Sequence, residues 1–201
     1  MDSNAFFDQH LGKHPVMGIF RGLDATTTIE LCEKAWEAGV QLVEIPIQSP
    51  DAIATLRGVI GAGASGGRLV GAGTVTTPEI VRAAAEAGAC FTVAPDLNES
   101  VAAECDRLGL AHLPGVATST EIGKALGLGL VWQKMFPAAQ LGADWARAQH
   151  GPFPQVQFVA TGGMDAGNAQ SFLDAGVRAV AVGSAFADPE QIRRLGLLRV
   201  R

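Results

Sequence analysis

From Pro15 onward the chain alternates between short apolar runs and longer amphipathic stretches. The apolar runs are Val16 to Phe20, Val40 to Ile47, Leu69 to Ala72 and Ala89 to Ala94. They continue with Leu110 to Leu113, Leu130 to Phe136, Val156 to Val159 and Ala179 to Val182. Short runs of this kind, rich in Val and Ile and bounded by Gly or Pro, predict strands buried on both faces. The stretches between them predict helices. Thr27-x-x-Glu30, Thr76-x-x-Glu79 and Thr118-x-x-Glu121 fit capping boxes, in which threonine and glutamate satisfy the free amides of a first turn. Gly39, Gly88 and Gly176 each follow an acidic residue and an alanine, where a left-handed glycine can end a helix.

Eight strand-then-helix units fill the 201 residues and leave no room for a second domain. Parallel strands joined by right-handed crossovers form an open sheet or a closed barrel, and eight units favour closure. The expected fold is therefore α/β, a single (β/α)8 TIM barrel over residues 1–201. Residues 1–14 form a short N-terminal extension, a cap or helix, and the segment after Pro189 completes the last helix. Gly61 to Gly67 reads as the most flexible loop and receives no chemistry.

Composition narrows the function. Hydrophobic residues make up 48% and charged residues 17% of the chain, which excludes general disorder. A net charge of −5 argues against a nucleic-acid partner. Each apolar run is too short or too interrupted for a membrane span, and Met1 to Asp8 does not read as a signal peptide. Cys32, Cys90 and Cys105 lack zinc-like spacing and read as reduced thiols, as expected in the cytoplasm.

In such a barrel the reactive groups sit at the C-terminal ends of the strands. Of four lysines, Lys13, Lys34 and Lys124 fall in the tail or on helices, and Lys134 alone lies in an apolar strand. Desolvation there lowers the pKa of an ammonium and yields the neutral amine that attacks a carbonyl. The alternative is a lysine that merely pairs with a carboxylate. Glu44, the only charge in its run, ends strand two, opposite strand six, and can relay protons to the lysine. Its alternative is a structural salt bridge.

Gly162-Gly163 follows strand seven and Gly183-Ser184 follows strand eight, where backbone amides can hold a phosphate. Arg21 ends strand one, and its forked guanidinium suits a carboxylate or phosphate. Thr74 ends strand three, either as a ligand-binding hydroxyl and amide or as a turn residue for the next helix. The hydroxyl of Thr161, one residue before the glycine pair, can reach a substrate hydroxyl. His10, His14, His112 and His150 form no metal-binding pattern, so no metal is expected. No Ser/His/Asp hydrolase elbow is present either.

Taken together, Glu44-Ile45-Pro46, Gly71-Ala72-Gly73-Thr74-Val75, Pro114-Gly115-Val116, Lys134-Met135-Phe136-Pro137-Ala138, Thr161-Gly162-Gly163 and Gly183-Ser184 occur in a recognisable order. The chain resembles the class I 2-keto-3-deoxy-6-phosphogluconate (KDPG) and phosphogalactonate (KDPGal) aldolases, which overlap with the 4-hydroxy-2-oxoglutarate aldolases. The resemblance implies cleavage of a phosphorylated keto acid to pyruvate and glyceraldehyde 3-phosphate by a homotrimeric barrel without a metal or organic cofactor. It implies that Lys134 forms the Schiff base and Glu44 is the general acid and base. Arg21 and Thr74 would hold the carboxylate end, Pro114-Gly115 would line its pocket, and Gly162, Gly163 and Ser184 would bind phosphate. The Glu44-to-Pro50 stretch points to the galactonate branch and Thr161 to the gluconate branch. Two other readings remain at this stage: a phosphate-barrel isomerase or epimerase, and a non-catalytic sugar-phosphate-binding barrel.

Overall fold

The computed structural model describes residues 2–12 and 14–198, so Met1, Lys13 and the last three residues lie outside the described residues. The strands are β1 (Val16–Ile19), β2 (Leu42–Pro46), β3 (Leu69–Gly73), β4 (Phe91–Val93) and β5 (Ala111–Leu113). They continue with β6 (Gly115–Val116), β7 (Trp132–Met135), β8 (Gln157–Thr161) and β9 (Ala179–Val182). The helices are α1 (Ser3–Leu11), α2 (Ala25–Glu37), α3 (Pro50–Gly63), α4 (Pro78–Ala87) and α5 (Glu99–Leu108). After them come α6 (Ser119–Gly127), α7 (Ala138–Leu141), α8 (Ala143–His150), α9 (Ala169–Asp174) and α10 (Pro189–Leu195).

Every strand pair is parallel, in the order β5-β4-β3-β2-β1-β9-β8-β7-β6. The two ends of that order are separated only by Pro114, which has no amide proton to donate. Its carbonyl accepts from the Lys134 amide at 2.8 Å. β5 and β6 are thus halves of one stave, and nine segments make the eight staves expected.

Alternation along the staves decides what faces inward. Met17, Leu42, Phe91, Val93, Leu113, Trp132, Val159 and Ala179 fill the barrel interior. Val43, Ile45, Val70, Ala72, Met135, Phe158 and Val180 point outward into the layer under the helices. Helix α1 closes the N-terminal end, with Phe6, Phe7 and Leu11 buried in the interior cluster. Trp132 Nε1 donates to Asp8 Oδ1 at 2.9 Å, and Val131 N donates to Asn4 Oδ1 at 2.9 Å. This plug leaves the opposite end as the open mouth.

The helix signals hold with local corrections. Thr118 caps α6, and Glu121 reaches back to the Ala117 amide at 2.8 Å. Helix α4 is capped by Thr77, one residue later than the spacing implied, because Pro78 takes the first helical position. Helix α2 starts earlier than Thr27: the Asp24 carboxylate accepts from the Thr27 amide at 3.0 Å. Gly39, Gly88 and Gly176 have φ of +90°, +94° and +96°, as the helix ends require. The expected flexible loop is mostly ordered, since α3 runs through Gly63 and a 3-10 turn spans Ala64–Gly66. All three cysteines are free, and burial pushes the thiols of Cys32 and Cys105 up to about 12 and about 11. Among the described residues no helix is long and apolar enough to cross a membrane.

Candidate active site

The interior alternation carries polar groups into the upper layer of the barrel. Glu44 lies two residues beyond Leu42, Lys134 two beyond Trp132 and Thr161 two beyond Val159. All three are buried, with relative exposures of 1%, 2% and 4%. Glu44 does not end its strand: β2 continues to Pro46, so the backbone of Glu44 sits two residues deeper in the barrel than expected. Pro46 is tolerated because β1 pairs with β2 only as far as Ile19↔Glu44, so no partner awaits its missing amide on that side.

No ion pair among the described residues joins Glu44 to Lys134. Glu44 Oε2 is buried without any hydrogen-bond partner. A structural salt bridge would have closed this gap, since an uncompensated buried carboxylate is costly. Burial instead pushes the Glu44 carboxyl up to about 7, against the opposing pull of the Lys134 and Arg21 charges. Burial also draws the Lys134 amine below its ordinary value, with Glu44 opposing and Arg21 assisting. The Lys134 Nζ stands 4.9 Å from the centre of the Phe136 ring. Burial thus favours the neutral form of both groups, and no ion pair among the described residues joins them.

At the C-terminal ends of β1, β8 and β9 opens a cavity of about 420 Å³, whose lining reaches Phe136 beside Lys134 but includes neither Lys134 nor Glu44. Arg21, Phe136, Thr161, Gly162, Gly163, Gly183 and Ser184 are among its lining residues. Gly162 and Gly163 have φ of +96° and +71°, a turn that side chains resist. A Cβ on Gly163 would stand 2.6 Å from Ala139 Cβ, and one on Gly183 would stand 2.6 Å from the Ile19 carbonyl oxygen. The loops therefore present bare backbone to the cavity. Asn168, which the sequence reading overlooked, props the first of them by donating to the Gly163 carbonyl at 2.8 Å. Its signal was the Asp165-Ala166-Gly167-Asn168 turn, where Asp165 Oδ1 accepts from the Gly167 and Asn168 amides. Phe136 was seen only as part of a motif, yet it lies against both Lys134 and Gly162.

Thr74, Pro114 and Gly115 do not line that cavity. Gly115 pairs in register with Lys134, but its open face is covered: a Cβ there would stand 2.3 Å from the Pro95 carbonyl. With the Pro114 carbonyl it fixes the stave beside Lys134. Thr74 directly follows β3 and is not the cap of α4, which is Thr77. Among the described residues Thr74 is the one non-glycine with positive φ, at +57°. A β-branched residue in this region is strained by about 1–3 kcal/mol. Thr74→Gly is therefore expected to leave stability unchanged or raise it by about 1 kcal/mol, although glycine normally loosens a chain. Urea unfolding measures this, and a loss beyond 1 kcal/mol would show that the threonine backbone is at ease.

Among the described residues no three His, Cys, Asp or Glu side chains gather as metal ligands. The family model described as KDPG and KHG aldolase matches residues 7–201. The 2-dehydro-3-deoxy-6-phosphogalactonate aldolase of Escherichia coli K12 is 31% identical over 173 residues, covering 86% of this chain and 84% of that protein. The 2-dehydro-3-deoxy-phosphogluconate aldolase of Treponema pallidum is 40% identical over 124 residues, covering 61% of this chain and 59% of that protein. Among solved structures, the KDPG aldolase of Legionella pneumophila, with pyruvate captured as a covalent carbinolamine, superposes with a TM-score of 0.81. It is 29% identical, with 92% of each chain covered.

Proposed function

The chain belongs to the KDPG and KHG aldolase family, and on that footing we propose that Lys134 is its Schiff-base nucleophile and Glu44 its acid and base. The reaction is class I cleavage of 2-keto-3-deoxy-6-phosphogluconate or its galactonate epimer to pyruvate and glyceraldehyde 3-phosphate. Family membership sets aside the isomerase, epimerase and non-catalytic readings. The observation that carries the assignment of roles is a buried lysine facing a buried carboxyl whose Oε2 has no partner.

The neutral Lys134 amine adds to the C2 carbonyl, and Glu44 supplies the proton with which water leaves the carbinolamine. The carboxylate so formed takes the C4 hydroxyl proton. The C3–C4 bond breaks, and its electron pair passes through C3 to the iminium nitrogen. Glyceraldehyde 3-phosphate departs, the enamine is protonated at C3 by Glu44, and water releases pyruvate and the amine. Arg21 and Thr74 hold the carboxylate, while Pro114 and Gly115, the latter covered by Pro95, act only by fixing the stave beside Lys134. The backbone at Gly162, Gly163 and Gly183, with the Ser184 hydroxyl, takes the phosphate. The Thr161 hydroxyl, whose internal bond to the Val159 carbonyl is long at 3.4 Å, is available to the C4 hydroxyl. The free thiols suit a cytoplasmic setting, and the family resemblance a homotrimer.

Pyruvate release from both epimers, measured after exhaustive chelation, tests this reading. Full activity with EDTA is expected, because the imine already takes up the developing charge. Loss with EDTA and recovery with Mg²⁺ or Mn²⁺ would overturn it.

A further inference from the structure

We propose that Gly73 is a positioning residue: its bare Cα is the berth of the Glu44 carboxyl, and a side chain there would turn the proton-transfer group out of line. The proposal rests on the reading of Glu44 given above.

Glu44 and Gly73 lie on neighbouring staves, with Glu44 paired to Gly71 and Pro46 to Gly73. The glutamate side chain reaches forward along the barrel until its carboxyl lies over Gly73. A Cβ on Gly73 would stand 1.5 Å from Oε2, 2.3 Å from Cδ and 2.7 Å from Oε1 of Glu44. All three of its nearest contacts belong to that one carboxyl group. Gly71 differs, since its Cβ would meet the Phe91 ring at 2.5 Å, a matter of core packing. Gly73 is not among the glycines with positive φ, so the backbone itself admits alanine. Its carbonyl accepts from the Ile47 amide at 2.8 Å, a bond that alanine would keep. What alanine cannot keep is the carboxyl in its place.

The berth also explains the state of the carboxyl. The carboxyl is raised by burial, and the bare Cα brings Oε2 no donor that would offset it from that side. The charged groups facing Glu44 are Lys134 from β7 and Arg21 after β1, and β3 adds none. Displaced from Gly73, the carboxyl moves toward water or toward those cations. Either move favours its ionised form.

The experiment is Gly73→Ala in the full-length chain. A displacement of about 1 Å can cost on the order of 10²-fold, so kcat should fall by about that factor with KM within a few-fold. The acidic limb of the kcat profile should move to lower pH, and pyruvate with borohydride should still mark Lys134. In Gly73→Ala/Glu44→Asp the shorter side chain withdraws from the new methyl, and kcat should recover roughly ten-fold over Gly73→Ala alone. Wild-type kcat and pH profile in Gly73→Ala would overturn the proposal, as would a pair of losses that simply multiply. If Gly73→Ala folds poorly, Gly73→Ala/Glu44→Ala must restore its melting temperature, and a loss left unrelieved would place the clash elsewhere. The parent reading fails separately, through wild-type kcat in Glu44→Gln.

Discussion

Glu44→Gln is expected to melt several degrees above the wild-type protein at pH 8 while its kcat falls about 10²–10⁴-fold. Burial holds the folded carboxyl up at about 7, against 4.5 for an unburied one. A carboxyl raised in this way contributes its stability below about pH 4.5, and loses it as pH climbs through about 7. At pH 8 the wild type therefore carries the cost of an ionised, buried Glu44 whose Oε2 has no hydrogen-bond partner, about 3 kcal/mol as an upper figure. Glutamine keeps the shape and removes the charge. In a chain of this size each kcal/mol moves Tm by roughly 2–4 °C, although Lys134 loses its counter-charge and reduces the gain. The difference in Tm between variant and wild type should grow from pH 5 to pH 8 and then level off. A Glu44→Gln protein that melts lower than wild type at pH 8 would mean that the carboxyl is stabilising, as a hidden ion pair. One that retains kcat would remove Glu44 from the proton relay.

The same physics explains which parts of the molecule could be read along the chain. The eight staves were legible because a strand buried on both faces leaves an apolar run between Gly or Pro, and all eight runs hold strand. Lys134 and Glu44 stood out because each is the lone charge in such a run. Their depth was not legible. Glu44 seemed to end its strand because proline normally does so, and only the early end of β1 shows why Pro46 can stay. The break of one stave at Pro114 depends on two different neighbours, β4 below and β7 above, which no local pattern records. Thr27 looked like a cap because a glutamate follows at the right spacing. Asp24 lies three residues earlier, and its carboxylate takes both the Thr27 amide and the Thr27 hydroxyl. Thr74 violates the rule that β-branched residues avoid positive φ, and such violations gather where a site imposes the backbone. The berth at Gly73 needed coordinates, because the atoms it admits come from another stave 29 residues away.

Lys134→Arg should abolish cleavage, a loss on the order of 10⁴-fold or more, because a guanidinium stays protonated and forms no imine. Arginine keeps the positive charge, so a lysine that acted only by electrostatics would survive the exchange with a far smaller loss. The chain holds three other lysines, Lys13, Lys34 and Lys124, which serve as internal controls. The decisive measurement is the mass of the intact protein after incubation with pyruvate and borohydride, followed by peptide mapping. The account predicts one reduced pyruvyl adduct, on Lys134, and none in Lys134→Arg. An adduct on Lys13, Lys34 or Lys124 in its place, or full cleavage activity with no adduct at all, would contradict it.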